Sequence, residues 1–207
     1  TNVYKILVSR STMINNDDLM AEIKKFRGKA IAIPTMTGSR GWLDSSEQPS
    51  RDVSVGGAMG KASNFAMGLA LAQPDTKVVC FDGDGSLNMN LGTMMTIAGA
   101  KPKNLIHFVL NNGYFSVTGG QPIAAADEAN FSQMAAGAGY AASYEFDNIE
   151  DFAGKVEEIF TAEGPIFVHI HSVPEIQNEP IGRRTRDPRN RSTNDAIKDL
   201  RKELGTL

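Results

Sequence analysis

Two stretches of oxygen-bearing residues follow apolar runs in this sequence. The stretch "VVCFDGDGSLNMNLG", from Val78 to Gly92, ends its apolar run in two aspartates interleaved with glycines, and "VLNNGYFS" (109–116) ends a later run in two asparagines. Glycine lets the backbone approach a ligand closely, and carboxylate and amide oxygens are the ligands that Mg²⁺ prefers. Each stretch alone is equally consistent with a turn, because Gly, Asp and Asn are turn-forming residues.

Familiar ligand-binding loops fit the first stretch poorly. A calcium EF-hand loop that began at Asp82 would place Leu87 where the sharp turn needs glycine, and Thr93 where a bidentate glutamate belongs. A dinucleotide-binding fingerprint that began at Gly83 would place Asn88 where glycine is needed for helix packing. No P-loop signature occurs in the sequence.

The spacing of the two stretches is more informative than either alone. Between Gly85 and Asn111 lie 25 residues (86–110), enough for one helix and one strand in a single crossover, so the two strand ends can be neighbours. Asp84 and Asn112 would then offer a carboxylate and an amide oxygen to a Mg²⁺ ion shared with a phosphorylated ligand. A helix that begins near Asn90 would direct its N-terminal amides at that anion.

The elements that must position these residues alternate along the chain. The predicted strands are 30–34, 77–81, 104–110, 141–146 and 165–171, and the predicted helices are 60–72, 90–100, 128–140 and 149–160. Several strands are rich in Val, Ile and Phe without clean alternation, which is typical of strands buried on both faces. The pattern predicts an α/β fold, with a doubly wound, mainly parallel sheet that has helices on both faces, and with its binding site beyond the carboxyl ends of the strands.

Composition excludes several classes of protein. With 207 residues, 41% of them hydrophobic, and a net charge of −3, the chain has no general attraction to nucleic acid or to an anionic membrane. It has no apolar run of transmembrane length, and its first residues do not indicate a signal peptide, so we expect a cytoplasmic location. The one cysteine, Cys80, lies within an apolar run and is expected to be a buried, inert thiol.

A change of character at residue 172 predicts the domain organisation. We expect one domain over residues 1–172 and a C-terminal extension over 173–207 that ends in a helix from about Asn194. The extension has five arginines within nine residues (183–191). These arginines fit either a solvated face or a docking surface for another subunit, and nucleic-acid binding is the weakest of the three interpretations.

The combined motifs resemble a known superfamily. "GDGSLNMNLGTMMTIAGAKPKNLIHFVLNN" is similar to the thiamine-diphosphate-binding signature, in which GDG is followed after about 25 residues by NN. The upstream "GGAMGKASNFAMGLALAQPDTKVV" resembles the decarboxylase branch, and "TMTGSRGW" and "NNGYFSVTGGQP" resemble phosphonopyruvate and sulfopyruvate decarboxylases. The likeness covers about residues 30–172 and implies the domain that binds the cofactor's diphosphate, the PP domain, with thiamine diphosphate and Mg²⁺ as cofactors.

The resemblance also implies roles for individual residues. It gives Mg²⁺ three protein ligands, namely the side chains of Asp84 and Asn112 and the carbonyl of Tyr114. It implies a bulky residue, Met59, that bends the cofactor, and a carbonyl, that of Gly57, that accepts a hydrogen bond from its aminopyrimidine ring. The residues implied to line the diphosphate are Gly83, Gly85, Ser86 and Leu87, with Gly38 and Ser39 of a "TGS" turn.

The same resemblance implies that part of the active site is elsewhere. In this superfamily the activating glutamate comes from a pyrimidine-binding domain, which nothing in this sequence resembles; Glu22 is most simply a solvated helix residue. We therefore expect a β-type subunit of a 2-oxo acid decarboxylase that pairs with a separate pyrimidine-binding, α-type subunit, as α2β2 or a larger assembly, with the catalytic glutamate on that partner.

Three alternatives remain open at this stage. A carboligase of the acetolactate-synthase kind would share cofactor and fold. A non-catalytic partner, either a cofactor-binding or a scaffold subunit, would share the fold while its chemistry belongs to another chain. A 2-oxoacid:ferredoxin oxidoreductase β subunit typically has cluster-binding cysteines, which a single cysteine does not supply.

The histidines and one glycine-rich turn are weaker candidates. His107 and His169 fall inside strands and are expected to be core residues, whereas His171, at a strand end, could face a substrate or a partner chain. The turn "VTGGQP" (117–122) could close over the site or be an ordinary surface turn.

Overall fold

The structure of this chain is a computed structural model that describes residues 13–57, 59–126, 128–185 and 187–206. The first twelve residues, on which the prediction of no signal peptide rests, lie outside the described residues. The helices and strands are α1 (Asn16–Phe26), β1 (Ile31–Pro34), α2 (Met36–Ser45), α3 (Ala62–Ala72), β2 (Val78–Gly83), α4 (Asp84–Asn88), α5 (Gly92–Ala100), β3 (Leu105–Asn111), β4 (Tyr114–Phe115), β5 (Gln121–Pro122), α6 (Phe131–Ala138), β6 (Ala142–Phe146), α7 (Ile149–Ala153), α8 (Val156–Thr161), β7 (Ile166–His171) and α9 (Thr193–Glu203).

The centre of the fold is a five-stranded parallel sheet in the order β1-β2-β3-β7-β6. All five predicted strands are confirmed, and β4 and β5 form a separate antiparallel hairpin. Because β2 and β3 are neighbours and run in parallel, the two oxygen-bearing stretches leave the sheet at the same edge.

Apolar side chains fill both faces of the sheet. On one face, the strand residues pack with α3, α5, α6 and α9, and on the other face they pack with α1, α2, α7 and α8. Strand residues alternate between the two cores, as a pleated strand requires: Cys80 belongs to the first and Phe81 to the second. The predicted doubly wound α/β fold is therefore confirmed.

The helix predicted over 149–160 is two helices. α7 begins after Asn148, whose side chain accepts hydrogen bonds from the first-turn amides, and a turn at Gly154 and Lys155 separates it from α8. Lys155 N–H donates to the Phe152 carbonyl in this turn, and Phe152 and Val156 on its two sides are both fully buried. The change of helix axis thus lets both segments reach the core.

The predicted C-terminal helix is confirmed as α9, and it packs against the main domain. Ala196 and Leu200 of this helix are buried in the same core as residues of α3 and α5. Thr193 Oγ1 donates to the Ser54 carbonyl at 2.9 Å, and Arg191 donates to the Asp52 carbonyl at 2.8 Å. The segment after residue 172 therefore completes the wall of the domain, while the role of the extension in subunit contact stays a prediction.

Arg189 and Arg191 of this segment bond to acidic groups of the same chain. Arg189 lies 2.6 Å from carboxylate oxygens of both Asp44 and Asp187, and Arg191 lies 2.7 Å from Asp199.

Within the part of the chain that the structure describes, no helix is long and apolar enough to cross a membrane.

Candidate functional site

Asp84 lies at the carboxyl edge of the sheet, where β2 passes directly into α4. Its side chain is almost fully buried, with 3% of its surface exposed. One carboxylate oxygen accepts a hydrogen bond from Gly85 N–H at 2.6 Å. The other accepts from Asn112 N–H at 2.9 Å and from Gly113 N–H at 2.7 Å. Asp84 therefore joins the two motifs that the sequence places 25 residues apart.

Among the described residues, no basic side chain forms an ion pair with Asp84. Burial, together with a smaller effect of the Asp82 charge, raises the pKa of Asp84 to about 6. The three backbone hydrogen bonds to its carboxylate act in the opposite direction and lower the pKa. A buried carboxylate in this situation is stabilised by a nearby cation. The donor set at this edge thus fits a hard divalent ion.

Asn112 and Tyr114 follow on the neighbouring strand end, as predicted. Asn112 Oδ1 accepts a hydrogen bond from Tyr114 N–H at 2.9 Å, and an amide oxygen has a second lone pair that a cation could use. Gly113 between them has a φ of +77°, which a residue with a side chain rarely adopts. The structure therefore brings Asp84 into contact with the turn that holds Asn112 and Tyr114, while the role of the three residues as ligands stays a prediction.

The four residues predicted to line a diphosphate differ in what surrounds them. A Cβ on Gly83 would have nothing within 4 Å, so open space lies beside it, whereas a Cβ on Gly85 would lie 2.6 Å from the Phe115 ring. Ser86 Oγ accepts a hydrogen bond from Gly60 N–H at 2.9 Å, and the Leu87 side chain is fully buried. The role of Leu87 beside the diphosphate therefore stays a prediction.

The helix expected near Asn90 begins at Gly92, as α5, but another helix adjoins the aspartates. The five-residue α4 intervenes, so its first turn, and not that of α5, lies next to Gly83 and Asp84. That the helix near Asn90 directs its N-terminal amides at the anion stays a prediction. Five residues are too few for a helical periodicity to be visible in the sequence.

The segment that holds Gly57 and Met59 is fixed to the same edge. Val55 N–H donates to the Pro34 carbonyl, and Thr35 Oγ1 donates to the Val55 carbonyl, so the segment leaves along the end of β1. Gly57 is exposed with a φ of +68°, and Met59 is half-buried. The next residue, Gly60, binds Ser86 of α4, which places Met59 beside the aspartate-bearing turn.

Gly38 and Ser39 lie in the first turns of α2, so the predicted "TGS" turn is wrong. Helix α2 packs very close to β2, since a Cβ on Gly38 would lie 2.8 Å from Phe81 Cβ. Gly38 is thus required for packing, which is a reason for glycine that does not involve a ligand. Ser39 Oγ lies 3.2 Å from Ser54 Oγ, next to the segment that leads to Gly57.

Cys80 and His107 are confirmed as core residues. Burial raises the pKa of the Cys80 thiol well above its ordinary value, and the charge of Asp82 adds to this effect. His107 Nδ1 lies 3.3 Å from Tyr140 Oη, whereas His107 Nε2 and Asp82 Oδ2, 3.7 Å apart, have no hydrogen-bond partner among the described residues.

A second group of polar residues, separate from the Asp84 site, was not predicted from the sequence. His169 is buried, as predicted, and His171 is half-buried with its Nε2 2.8 Å from Glu145 Oε1. Two histidines separated by one residue in a strand point to the same face, so this spacing is a signal that could have been used. Glu145 on β6 had no comparable signal, because only the strand order places it opposite His169.

The turn over 117–122 connects β4 and β5. It is held by the C-terminal segment, since Arg184 Nη2 donates to the Val117 carbonyl at 2.7 Å and Gln177 N–H donates to the Ser116 carbonyl at 2.8 Å. This attachment fixes the turn to the C-terminal segment, while its closing over the site stays a prediction.

Comparison with known proteins identifies relatives in one enzyme group. Residues 34–170 match the family model described as "Thiamine pyrophosphate enzyme, C-terminal TPP binding domain". The chain is 37% identical over 114 residues to a phosphonopyruvate decarboxylase of Streptomyces viridochromogenes, covering 55% of this chain and 28% of that protein. It is 36% identical over 127 residues to the sulfopyruvate decarboxylase subunit beta of Methanothermobacter thermautotrophicus, covering 60% of this chain and 64% of that protein. The chain thus spans less than two thirds of these relatives.

More distant matches agree on the fold. Acetolactate synthase isozyme 1 large subunit of Escherichia coli is 33% identical over 129 residues, covering 55% of this chain and 22% of that protein. A solved structure of a putative thiamin diphosphate-dependent enzyme from Mycobacterium smegmatis matches with a TM-score of 0.66 at 21% identity, covering 78% of this chain and 32% of the other. At this identity the structural match supports the fold alone.

Proposed function

Because the chain belongs to the thiamine pyrophosphate enzymes, through their C-terminal TPP-binding domain, we propose that it binds the diphosphate and Mg²⁺ of thiamine diphosphate in a 2-oxo acid decarboxylase. The observation that carries the proposal is the Asp84 carboxylate. It is buried at the strand ends and accepts hydrogen bonds from the backbone amides of Asn112 and Gly113. When bound, thiamine diphosphate supplies an electron sink for the carbanion that decarboxylation leaves.

The residues of this chain would position the cofactor. Asp84, the Asn112 amide oxygen and the Tyr114 carbonyl would hold Mg²⁺, and the open space beside Gly83 leaves room for the diphosphate. Gly38, Ser39, Gly85, Ser86 and the backbone of Leu87 would complete its surroundings. Met59 and the Gly57 carbonyl would contact the cofactor from the segment fixed to Ser86 through Gly60.

Cofactor binding tests the metal assignment directly. Equilibrium dialysis of thiamine diphosphate with and without Mg²⁺ is measured on the chain, on Asp84→Asn and on Asp75→Asn, an exposed aspartate in the turn after α3. We expect Mg²⁺-dependent binding in the chain and in D75N and its loss in D84N. Unchanged binding by D84N would contradict the assignment of Asp84 as a Mg²⁺ ligand.

We further propose that a separate α-type subunit supplies the pyrimidine-binding domain and the activating glutamate, in an α2β2 or larger assembly. Support comes from the subunit beta relative, of which this chain covers more than it does of the phosphonopyruvate decarboxylase. The chain alone, and the chain with a pyrimidine-binding protein, are assayed for decarboxylation of sulfopyruvate, phosphonopyruvate and pyruvate. Full activity of the chain alone would contradict an active site shared between two subunits.

The cytoplasmic location of the chain also stays a prediction.

A carboligase is the second candidate, favoured by the acetolactate synthase relatives. In both enzymes the first step is decarboxylation of a 2-oxo acid. They differ in whether the carbanion that remains takes up a proton or a second carbonyl compound. Product analysis with pyruvate separates them, because a decarboxylase releases an aldehyde whereas a carboligase releases a longer hydroxy-keto acid.

A further inference from the structure

Glu145 on β6 and His169 and His171 on β7 form a cluster that the proposed function does not use. Glu145 lies directly opposite His169 in the sheet register, and the two histidines point to the same face. One ligand atom from each residue can be chosen so that all three lie within 4.8 Å of one another. We refer to these three residues as the Glu145 cluster.

The carboxylate of the cluster is oriented by neighbours on its other side. Glu145 Oε2 accepts hydrogen bonds from Asn130 Nδ2 at 2.9 Å and from Ser132 Oγ at 2.8 Å. Both donors belong to the start of α6, where Asn130 is also the N-cap. With Oε2 engaged in this way, Oε1 is directed at the two imidazoles.

His169 is oriented in a similar way. Its Nε2 lies 2.9 Å from the Asn111 amide, while its buried Nδ1 has no hydrogen-bond partner among the described residues and lies 3.6 Å from Glu145 Oε1. This distance is longer than a hydrogen bond. If the Asn111 amide is turned by 180°, its oxygen accepts from Nε2–H and the Nδ1 lone pair faces the carboxylate. Metal-ligating histidines usually have their second nitrogen fixed in this manner.

We propose that Glu145 Oε1, His169 Nδ1 and His171 Nε2 bind a transition-metal ion of the zinc class. Two imidazoles and one carboxylate are a known ligand set for Zn²⁺, whereas Mg²⁺ prefers oxygen alone. Tetrahedral zinc ligands at about 2.1 Å lie about 3.4 Å from one another, and the carboxylate oxygen lies 2.8 Å and 3.6 Å from the two nitrogens.

The cluster is open to solvent on one side. The side chains of Glu145 and His171 are 36% and 20% exposed, while that of His169 is 1% exposed. An ion can therefore enter from the surface, and water can occupy the fourth position. Because the cluster joins β6, β7 and the start of α6, the ion would fix these elements to one another.

The alternative is an ion pair between Glu145 and His171 with no metal. That arrangement explains the 2.8 Å contact but leaves the buried His169 Nδ1 without a partner. A buried nitrogen that has no partner costs about 1–3 kcal/mol. A metal ion accounts for all three ligand atoms at once.

The test uses the full chain, freed of any histidine tag and of metal by chelation, and without thiamine diphosphate. Zn²⁺ affinity is measured by competition with a chromophoric chelator, and Co²⁺ is used as the probe of geometry. We expect one Zn²⁺ per chain and visible Co²⁺ bands typical of tetrahedral coordination. We expect Zn²⁺ affinity to fall at least about 100-fold in His171→Ala and in Glu145→Gln, since loss of an outer partner alone costs about 10–100-fold.

Two control variants separate this site from others. Cys80→Ser changes the buried group of Cys80, Asp82 and His107, and Asp84→Asn changes the proposed Mg²⁺ site; both should keep the Zn²⁺ affinity of the unaltered chain. Circular dichroism checks that each variant is folded. Absence of Zn²⁺ binding by the unaltered chain, unaltered affinity in H171A, or loss in C80S or D84N would each overturn the proposal. None of these outcomes depends on whether the proposed decarboxylase function is correct.

Discussion

Replacing Gly38 by alanine should destabilise the protein, although the change lies in a helix, where alanine is normally the better residue. The added Cβ would lie 2.8 Å from Phe81 Cβ and 3.3 Å from the Phe81 carbonyl oxygen. Neither atom is the free end of a flexible side chain, because Phe81 is fully buried in β2. Helix α2 would therefore have to move away from the sheet by several tenths of an ångström.

The magnitude follows from two opposing effects. Overpacking of this kind costs about 1–3 kcal/mol, and the higher helix propensity of alanine returns about 0.5–1 kcal/mol. With the middle of each range the net loss is about 1 kcal/mol, and for a chain of this size each kcal/mol lowers Tm by about 2–4 °C. We expect Tm to fall by roughly 2–4 °C.

Gly68→Ala is the matched control. Gly68 lies in the exposed interior of α3, and a Cβ there would have nothing within 4 Å. The same chemical change should therefore raise stability by up to about 1 kcal/mol. Calorimetry of both variants without cofactor measures the two signs. A G38A protein as stable as the parent would refute the packing argument and would leave cofactor contact as the reason for this glycine.

Three further predictions test other parts of the fold. Arg27→Ala should cost about 3–5 kcal/mol by denaturant unfolding, since it leaves the largely buried Asp52 carboxylate without the guanidinium 2.6 Å away; a loss below 1 kcal/mol would contradict this. Leu200→Ala should cost about 2–5 kcal/mol if α9 belongs to the core, whereas a freely solvated α9 would show almost no change. The Cys80 thiol should not react with a disulfide reagent until the protein is unfolded, because burial raises its pKa; rapid reaction of the native protein would contradict its burial.

The parallel sheet was predictable because its signal is local. Each central strand is a short run of Val, Ile and Phe between helix-like segments, and burial on both faces produces this pattern. The meeting of Asp84 with Asn112 was also predictable, since one crossover between adjacent parallel strands fixes it. The helical conformation of Gly38 and Ser39 in α2 and the presence of α4 were not predictable. A Gly-Ser pair and the five residues of α4 have turn-like sequences, and their helical structure depends on packing against neighbouring elements.

The Glu145 cluster shows a second limit of sequence reasoning. His169 and His171 can be placed on one face from their spacing, but Glu145 is more than twenty residues earlier in the chain. Its position depends on β6 pairing with β7 at the edge of the sheet. Strand order is a property of the whole fold, so single residues could not predict this contact.

The attachment of the C-terminal segment has a consequence for how the site forms during synthesis. The segment that leads to Gly57 and Met59 is bound by Arg191 and Thr193, and Arg51 lies 3.1 Å from Glu203, so these bonds join residues some 140 to 150 positions apart. Contacts of such long range form late, because the chain between them must first be ordered. On a ribosome, the sheet and the Asp84 turn can therefore assemble while translation continues, but the segment that presents Met59 is fully held only after residue 203 has left the exit tunnel.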